Sequence, residues 1–143
     1  MTALAIEFHR EGLSVSEQSL VSDGFREHSE EHGGPEYQKA RVKWLASDQD
    51  NKIQGVLTAD ILWDWIYIDE LWVSPASRGA GLGRQLVSQA EDFAKSQELV
   101  GIWLWTQSWQ AENFYRRLGY DEFARFDDFP KGHYRVGFRK YLG

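Results

Sequence analysis

The stretch Leu71-Trp72-Val73-Ser74-Pro75-Ala76-Ser77-Arg78-Gly79-Ala80-Gly81-Leu82-Gly83-Arg84 decides how the chain is read. An apolar run ends at Ser74-Pro75, and three glycines follow within five positions. From Arg84 to Gln97, Leu86, Val87, Ala90, Phe93 and Ala94 then recur on one helical stripe with charges opposite. Strand, glycine turn and helix are therefore predicted in succession. The first amides of a helix have no intrahelical partner and lie at the positive end of its dipole. Glycines let main chain approach a phosphate closely and take positive φ, and Arg78 and Arg84 add charge-assisted hydrogen bonds. The turn reads as an anion site, with a tight turn shaped only for geometry as the alternative.

Working outward, Val100 to Thr106 reads as a buried strand, so the stretch becomes a βαβ crossover with parallel, right-handed connection. Trp65 to Val73 is apolar on both faces, as a covered central strand is. Before it, Ala40, Val42, Trp44 and Ala46 alternate with polar residues, and a turn at Asp48 to Lys52 leads into Ile53 to Leu62, predicting a hairpin. Ser14 to Glu31 predicts one helix, whole or in two pieces, stopped by Gly33-Gly34-Pro35, after an opening strand at Ala5 to Phe8. Downstream, Ala111 to Leu118 predicts a short helix ended by Gly119. Two strands, Asp121 to Phe126 and Tyr134 to Leu142, follow and are joined through Pro130-Lys131-Gly132. The fold class is α+β or α/β with a mixed sheet. No repeat, low-complexity tract or linker interrupts residues 1–143, so one domain is expected.

Composition narrows the function. With 42% apolar residues in 143, the chain can bury a core of its own. The absence of cysteine excludes disulfides, thiolate metal sites and cysteine nucleophiles, and fits a reducing compartment, so a cytoplasmic location is expected. The opening Met1-Thr2-Ala3-Leu4-Ala5-Ile6-Glu7-Phe8-His9-Arg10 has no long apolar run, and neither a signal peptide nor membrane association is expected. A formal charge of −6 disfavours nucleic acid and mildly favours cationic partners. His9, His28, His32 and His133 show no metal-ligand spacing, so no metal is expected.

Two nucleotide fingerprints fail at the glycine turn. G-x-G-x-x-G would need glycine where Arg84 stands, and the P-loop ending G-K-[ST] is absent. R-x-x-G-x-G fits, as Arg78, Gly81 and Gly83, and Ala111-Glu112-Asn113-Phe114-Tyr115-Arg116-Arg117-Leu118-Gly119-Tyr120 follows about thirty residues later as A-x-x-F-Y-x-x-x-G-[FY]. With these motifs in this order, the chain resembles the GNAT superfamily of N-acetyltransferases, in a bacterial-type branch. The likeness is full over 53 to 142 and rests on element order over 1 to 52. It implies a mostly antiparallel twisted sheet flanked by helices, in which the family's fourth and fifth strands splay to form an acetyl-CoA cleft. Leu71, Trp72 and Val73 would then pair with the pantetheine arm. Arg78, Gly79, Ala80, Gly81, Leu82, Gly83 and Arg84 would hold the pyrophosphate. The resemblance also places Asn113, Tyr115 and Ser108 beside the cofactor. Ser108 departs from the asparagine that many members carry three residues before the alanine matching Ala111.

What this resemblance implies chemically is direct attack by a primary amine on acetyl-CoA, with no covalent enzyme intermediate. Such a transfer needs a deprotonated amine, an oxyanion donor and a proton for the thiolate. Tyr115 aligns with the family's acid, and the Val73 amide is the expected oxyanion donor. Asp69 and Glu70 are the candidate bases. On an apolar central strand an unpaired carboxylate is expensive and would have a raised pKa. Consecutive strand residues face opposite sides, so only one should look into the acceptor cleft; family placement favours Asp69, Glu70 stays open, and a salt bridge to a neighbouring strand is the structural alternative for either. Trp63, Trp65, Trp103, Trp105 and Trp109 fall near that cleft; two of them lining it would suit a cationic or aromatic acceptor. Asp127-Asp128-Phe129-Pro130-Lys131-Gly132-His133 resembles a stretch in one bacterial branch of the superfamily. The expected partner is a small-molecule or peptide amine, and a homodimer is compatible with the resemblance. The competing readings are a non-catalytic acyl-CoA sensor and an aromatic-rich protein interaction module.

Overall fold

The computed structural model describes residues 3–143 and divides into two units, 1–37 and 38–143. The first contains one unbroken helix, α1 (Val15–Glu31). Ser14 caps it: the Ser14 hydroxyl accepts from the Glu17 amide at 3.2 Å, and the Glu17 carboxylate accepts from the Ser14 amide at 2.7 Å. Gly33, at φ +72°, follows the helix end. The strand expected at Ala5 to Phe8 is absent. Those residues join no ladder, and Ile6 and Phe8 stay 99% and 82% exposed, so nothing holds them extended.

The second unit is a six-stranded sheet in the order β1-β2-β3-β4-β6-β5. Its strands are β1 (Lys39–Ser47), β2 (Ile53–Leu62), β3 (Trp65–Val73), β4 (Gly101–Gln107), β5 (Asp121–Asp127) and β6 (Tyr134–Tyr141). All neighbouring pairs are antiparallel except β3 and β4, which are parallel because α2 (Leu82–Ser96) carries the chain back between them. A 3₁₀ turn (Pro75–Ser77) precedes α2, and α3 (Glu112–Arg117) joins β4 to β5. No helix among the described residues is long and apolar enough to cross a membrane.

The amphipathic stripe of α2 settles onto the sheet. Leu86, Val87, Ala90 and Ala94 are buried against a floor made by Leu57, Ala59, Ile66, Ile68, Ile102 and Leu104. Trp44 reaches Phe93 edge-on, with ring centroids 5.7 Å apart. A polar clamp ties α2 to the C-terminal strands. The Tyr120 hydroxyl donates to Glu91 at 2.8 Å, and Lys140 Nζ donates to Glu91 and, at 3.0 Å, to the Leu118 carbonyl. The buried face of β3 steps by two from Ile66 to Ile68 and by three to Leu71. There the register slips, with Thr58 opposite Glu70 and Ala59 opposite Ile68, so Asp69 is the extra residue of a bulge.

Gly101 opens β4 where strands crowd. A β-carbon there would stand 2.3 Å from the Lys140 carbonyl oxygen and 2.8 Å from the Trp65 ring. Gly101→Ala should therefore destabilise the chain by about 1–3 kcal/mol, as overpacking does, read as a lower urea midpoint. An unchanged midpoint would mean that β6 yields without cost.

Candidate functional site

Parallel pairing of β3 with β4 covers Trp65 to Ile68 against Gly101 to Leu104 and stops there. Beyond it the strands part, and the gap opens into a cleft of about 930 Å³. The Ser74 amide donates to the Gln54 carbonyl at 2.8 Å, so main-chain groups of Ser74 face β2. By strand alternation those of Leu71 and Val73 face the gap, where β4 no longer meets them. The notch thus presents main-chain donors and acceptors to any ligand lying along it.

The glycine turn closes one end. Gly79 and Gly81 hold φ of +82° and +84°, and nothing lies within 4 Å of where a β-carbon would stand, so conformation and not space demands glycine there. Gln85 N–H donates to the Gly81 carbonyl at 3.0 Å, which leaves the Leu82, Gly83 and Arg84 amides without intrahelical acceptors. Gly83 lines the cleft, with the Phe114 ring of α3 beside it. Arg78 lines it too, its Nε donating to the Val73 carbonyl at 3.1 Å, which ties the guanidinium to the edge of the gap. Behind the turn, Gln54 Oε1 accepts from the Ser74 and Ser77 hydroxyls, and Gln54 Nε2 donates to Asp48 at 3.1 Å. The hairpin turn thereby braces the glycine turn. Gly79, Ala80, Gly81, Leu82 and Arg84 lie outside the cleft lining.

The cleft brings most of the sequence-derived residues together. Asp69, Glu70, Leu71, Trp72 and Val73 form one wall, and Ser108, Asn113 and Tyr115 belong to the other. Tyr115 is 4% exposed, packed against Phe114, Tyr120 and Phe138, and burial holds its phenol well above the ordinary value. Its hydroxyl has no hydrogen-bond partner among the described residues and remains a neutral donor at physiological pH. The Ser108 amide donates to the Tyr134 carbonyl at 2.8 Å, so Ser108 is tied to β6.

Two expectations change. The bulge puts Asp69 and Glu70 on the same face, so both line the cleft, where strict alternation allowed one. Neither carboxylate is unpaired: Arg41 of β1 meets Asp69 Oδ2 at 2.9 Å and Glu70 Oε1 at 3.4 Å, and the Thr58 hydroxyl donates to Glu70 at 2.8 Å. Of the tryptophans, Trp105 and Trp109 reach the cleft, as does Trp72. Trp63, Trp65 and Trp103 instead line a separate apolar hollow of about 420 Å³ with Leu62 and Phe123.

Sequence reasoning missed Arg41, Glu112 and Tyr134. The Tyr134 hydroxyl donates to Glu112 Oε1 at 2.7 Å, both residues line the cleft, and this bond, followed by Arg116, holds the Glu112 carboxyl below its ordinary range. The pair joins α3 to β6 across 22 positions, with no local signal in the sequence. The slip of the apolar pattern from Ile68 to Leu71 could have pointed to the bulge, but not to Arg41, which lies 28 positions before Asp69.

The observed surfaces fit a thin ligand with amide groups along its length and an anionic end: bare main chain along the gap, then Arg78 and free helix amides. Comparison with known proteins agrees with this geometry. Over 88 residues the chain is 36% identical to blasticidin-S acetyltransferase of Streptomyces morookaense, a match covering 61% of this chain and 65% of that protein, so just under two thirds of the relative's length is matched. A crystal structure of an acetyltransferase from Bacillus cereus ATCC 14579 superposes with a TM-score of 0.82 and 28% identity, covering 94% of this chain and 98% of that one. A structure from Bacillus anthracis str. Ames in complex with acetyl coenzyme A shares the fold, with a TM-score of 0.64, 23% identity, and 71% and 62% of the two chains covered. The profile of the Acetyltransferase (GNAT) family matches residues 10–120, and the chain, with its parted parallel strands and glycine turn, belongs to that family.

Proposed function

We propose that residues 1–143 act as one N-acetyltransferase domain that moves the acetyl group of acetyl-CoA to a primary amine of a small cationic acceptor by direct attack in a ternary complex. The observation that carries this reading is the parting of β3 and β4 after Ile68 and Leu104, which leaves Leu71 and Val73 facing a cleft that ends at Arg78. When bound, acetyl-CoA supplies an activated acyl group as a thioester whose thiolate must be stabilised as it leaves. Main-chain groups of Leu71 and Val73 would hold its amide-bearing arm, and Arg78 with the amides at the α2 start would hold its phosphates. The Val73 N–H is the donor for the acyl oxygen.

Tyr115 serves as the hydrogen-bond donor at the leaving sulfur. A thiol near 8.5 is a stronger acid than a phenol near 10, and burial widens that difference. Tyr115 therefore stabilises the departing thiolate chiefly by hydrogen bonding. Asp69 is the base. Glu70 Oε1 is taken by both Thr58 and Arg41, whereas Asp69 accepts from Arg41 alone. The acidic wall, together with Trp105 and Trp109, favours an acceptor bearing positive charge. The name of the Streptomyces relative makes blasticidin S the first acceptor to try.

Thiol release from acetyl-CoA in the presence of blasticidin S and a panel of amines tests the reaction; no release with any amine would return the chain to an acyl-CoA sensor. Arg78→Ala should weaken acetyl-CoA binding by about tenfold or more, the worth of a hydrogen bond to a charged group, read by calorimetric titration. Tyr115→Phe should lower kcat by about 10²-fold, as loss of one hydrogen-bond donor to developing charge does, with the acetyl-CoA KM unchanged. Trp109→Ala should raise the acceptor KM more than the acetyl-CoA KM, and equal effects would remove Trp109 from the acceptor site.

A further inference from the structure

Arg41 lies on β1, opposite Asp60 of β2, and its side chain crosses to β3. Nη1 stands 3.1 Å from Asp60 Oδ1, and Nη2 stands 2.9 Å from Asp69 Oδ2 and 3.4 Å from Glu70 Oε1. One guanidinium therefore holds three carboxylates, and it can do so only because the Asp69 bulge turns two neighbouring residues of β3 toward the same face. The Asp60 side chain is 12% exposed, with Arg41 as its counter-charge. Thr58 fixes Glu70 from the β2 side. Asp69 lines the cleft, and its Oδ1, like Oε2 of Glu70, has no protein partner among the described residues.

We infer that Arg41 is a positioning residue for proton removal: it fixes Asp69 through Oδ2, so that Oδ1 takes the proton from the acceptor ammonium. The inference rests on the acetyl-transfer reading with Asp69 as base. In the step, an N–H bond of the acceptor breaks and an O–H bond forms at Asp69 Oδ1, the nitrogen keeps the electron pair for attack, and the proton passes on to water. A carboxylate near 3.9 is a far weaker base than an alkylamine near 10.4. Transfer is uphill, so its rate depends on how well the oxygen is placed.

The other charged and titratable groups on this face include Lys39 and Lys43 on β1, Tyr67 on β3, and Arg135 and Arg139 on β6. The Tyr67 phenol sits above its ordinary value through burial first and then Asp69, with Arg135 acting the other way.

Carbon-detected NMR of the side-chain carboxyls in the whole chain, without acetyl-CoA, tests the placement directly. Arg41→Ala should shift the side-chain carboxyl resonances of Asp69 and Glu70, which Arg41 contacts, and leave those of acids away from β1 in place. Arg41→Gln combined with Asp60→Asn should do the same without stranding Asp60. In turnover, both variants should lower kcat about tenfold and leave the acetyl-CoA KM unchanged. Arg41→Lys should restore part of kcat. Unmoved carboxyl resonances, or a lower melting temperature with an unmoved kcat, would overturn the positioning role while acetyl transfer stood. No turnover in the wild type with any amine would overturn the acetyl-transfer reading itself, and the proton-transfer role with it.

Discussion

Four register positions tie β3 to β4 as parallel neighbours, from Trp65 against Gly101 to Ile68 against Leu104, and then the ladder ends. A sheet interior cannot leave main-chain donors and acceptors bare without cost. In this fold the cost falls where a ligand can meet it. The bulge at Asp69 begins at the residue after the last paired one, adding twist to β3 and steering it from β4. The burial of Ile66, Ile68, Ile102 and Leu104 under α2 holds the paired half together, so that the other half can stay open.

The rest of the site is arranged around that opening. The crossover that makes β3 and β4 parallel also brings the start of α2 to the C-terminal end of β3, so free amides and Arg78 gather at one mouth of the cleft. Gln54 and Asp48 brace the turn from the hairpin side, while Phe114 closes over Gly83 from α3. On the sheet face reached by Arg41, the bulge converts two residues that alternation would separate into a pair of carboxylates sharing one guanidinium. Strand geometry and proposed chemistry thus have a common origin at Asp69.

Much of this is readable from residue order alone, for reasons that can be named. The stripe of Leu86, Val87, Ala90 and Ala94 defines α2 because a helix buries one face, and the hairpin limits follow from alternation and the Asp48 to Lys52 turn. Local chemistry also locates the glycine turn, since positive φ at Gly79 and Gly81 is a demand that the sequence states openly. Contacts between distant residues are not readable in this way. The Arg41 cluster spans 29 positions and the Glu112–Tyr134 bond spans 22, and neither leaves a periodic trace. Ala5 to Phe8 has the composition of a strand without being one, because composition indicates willingness to extend, whereas only a partner ladder makes a strand.

The proposed ligand binding rests above all on the main chain of β3 that β4 leaves unpaired. Hydrogen exchange resolved to single amides, with and without acetyl-CoA, addresses it most directly. Slowed exchange at Leu71, Val73 and the amides of Leu82 to Arg84, with Ile66 and Ile68 unchanged, is the result expected if the gap and the turn hold the ligand together. Unchanged exchange at Leu71 and Val73 under saturating acetyl-CoA would contradict it and place the ligand elsewhere on the chain.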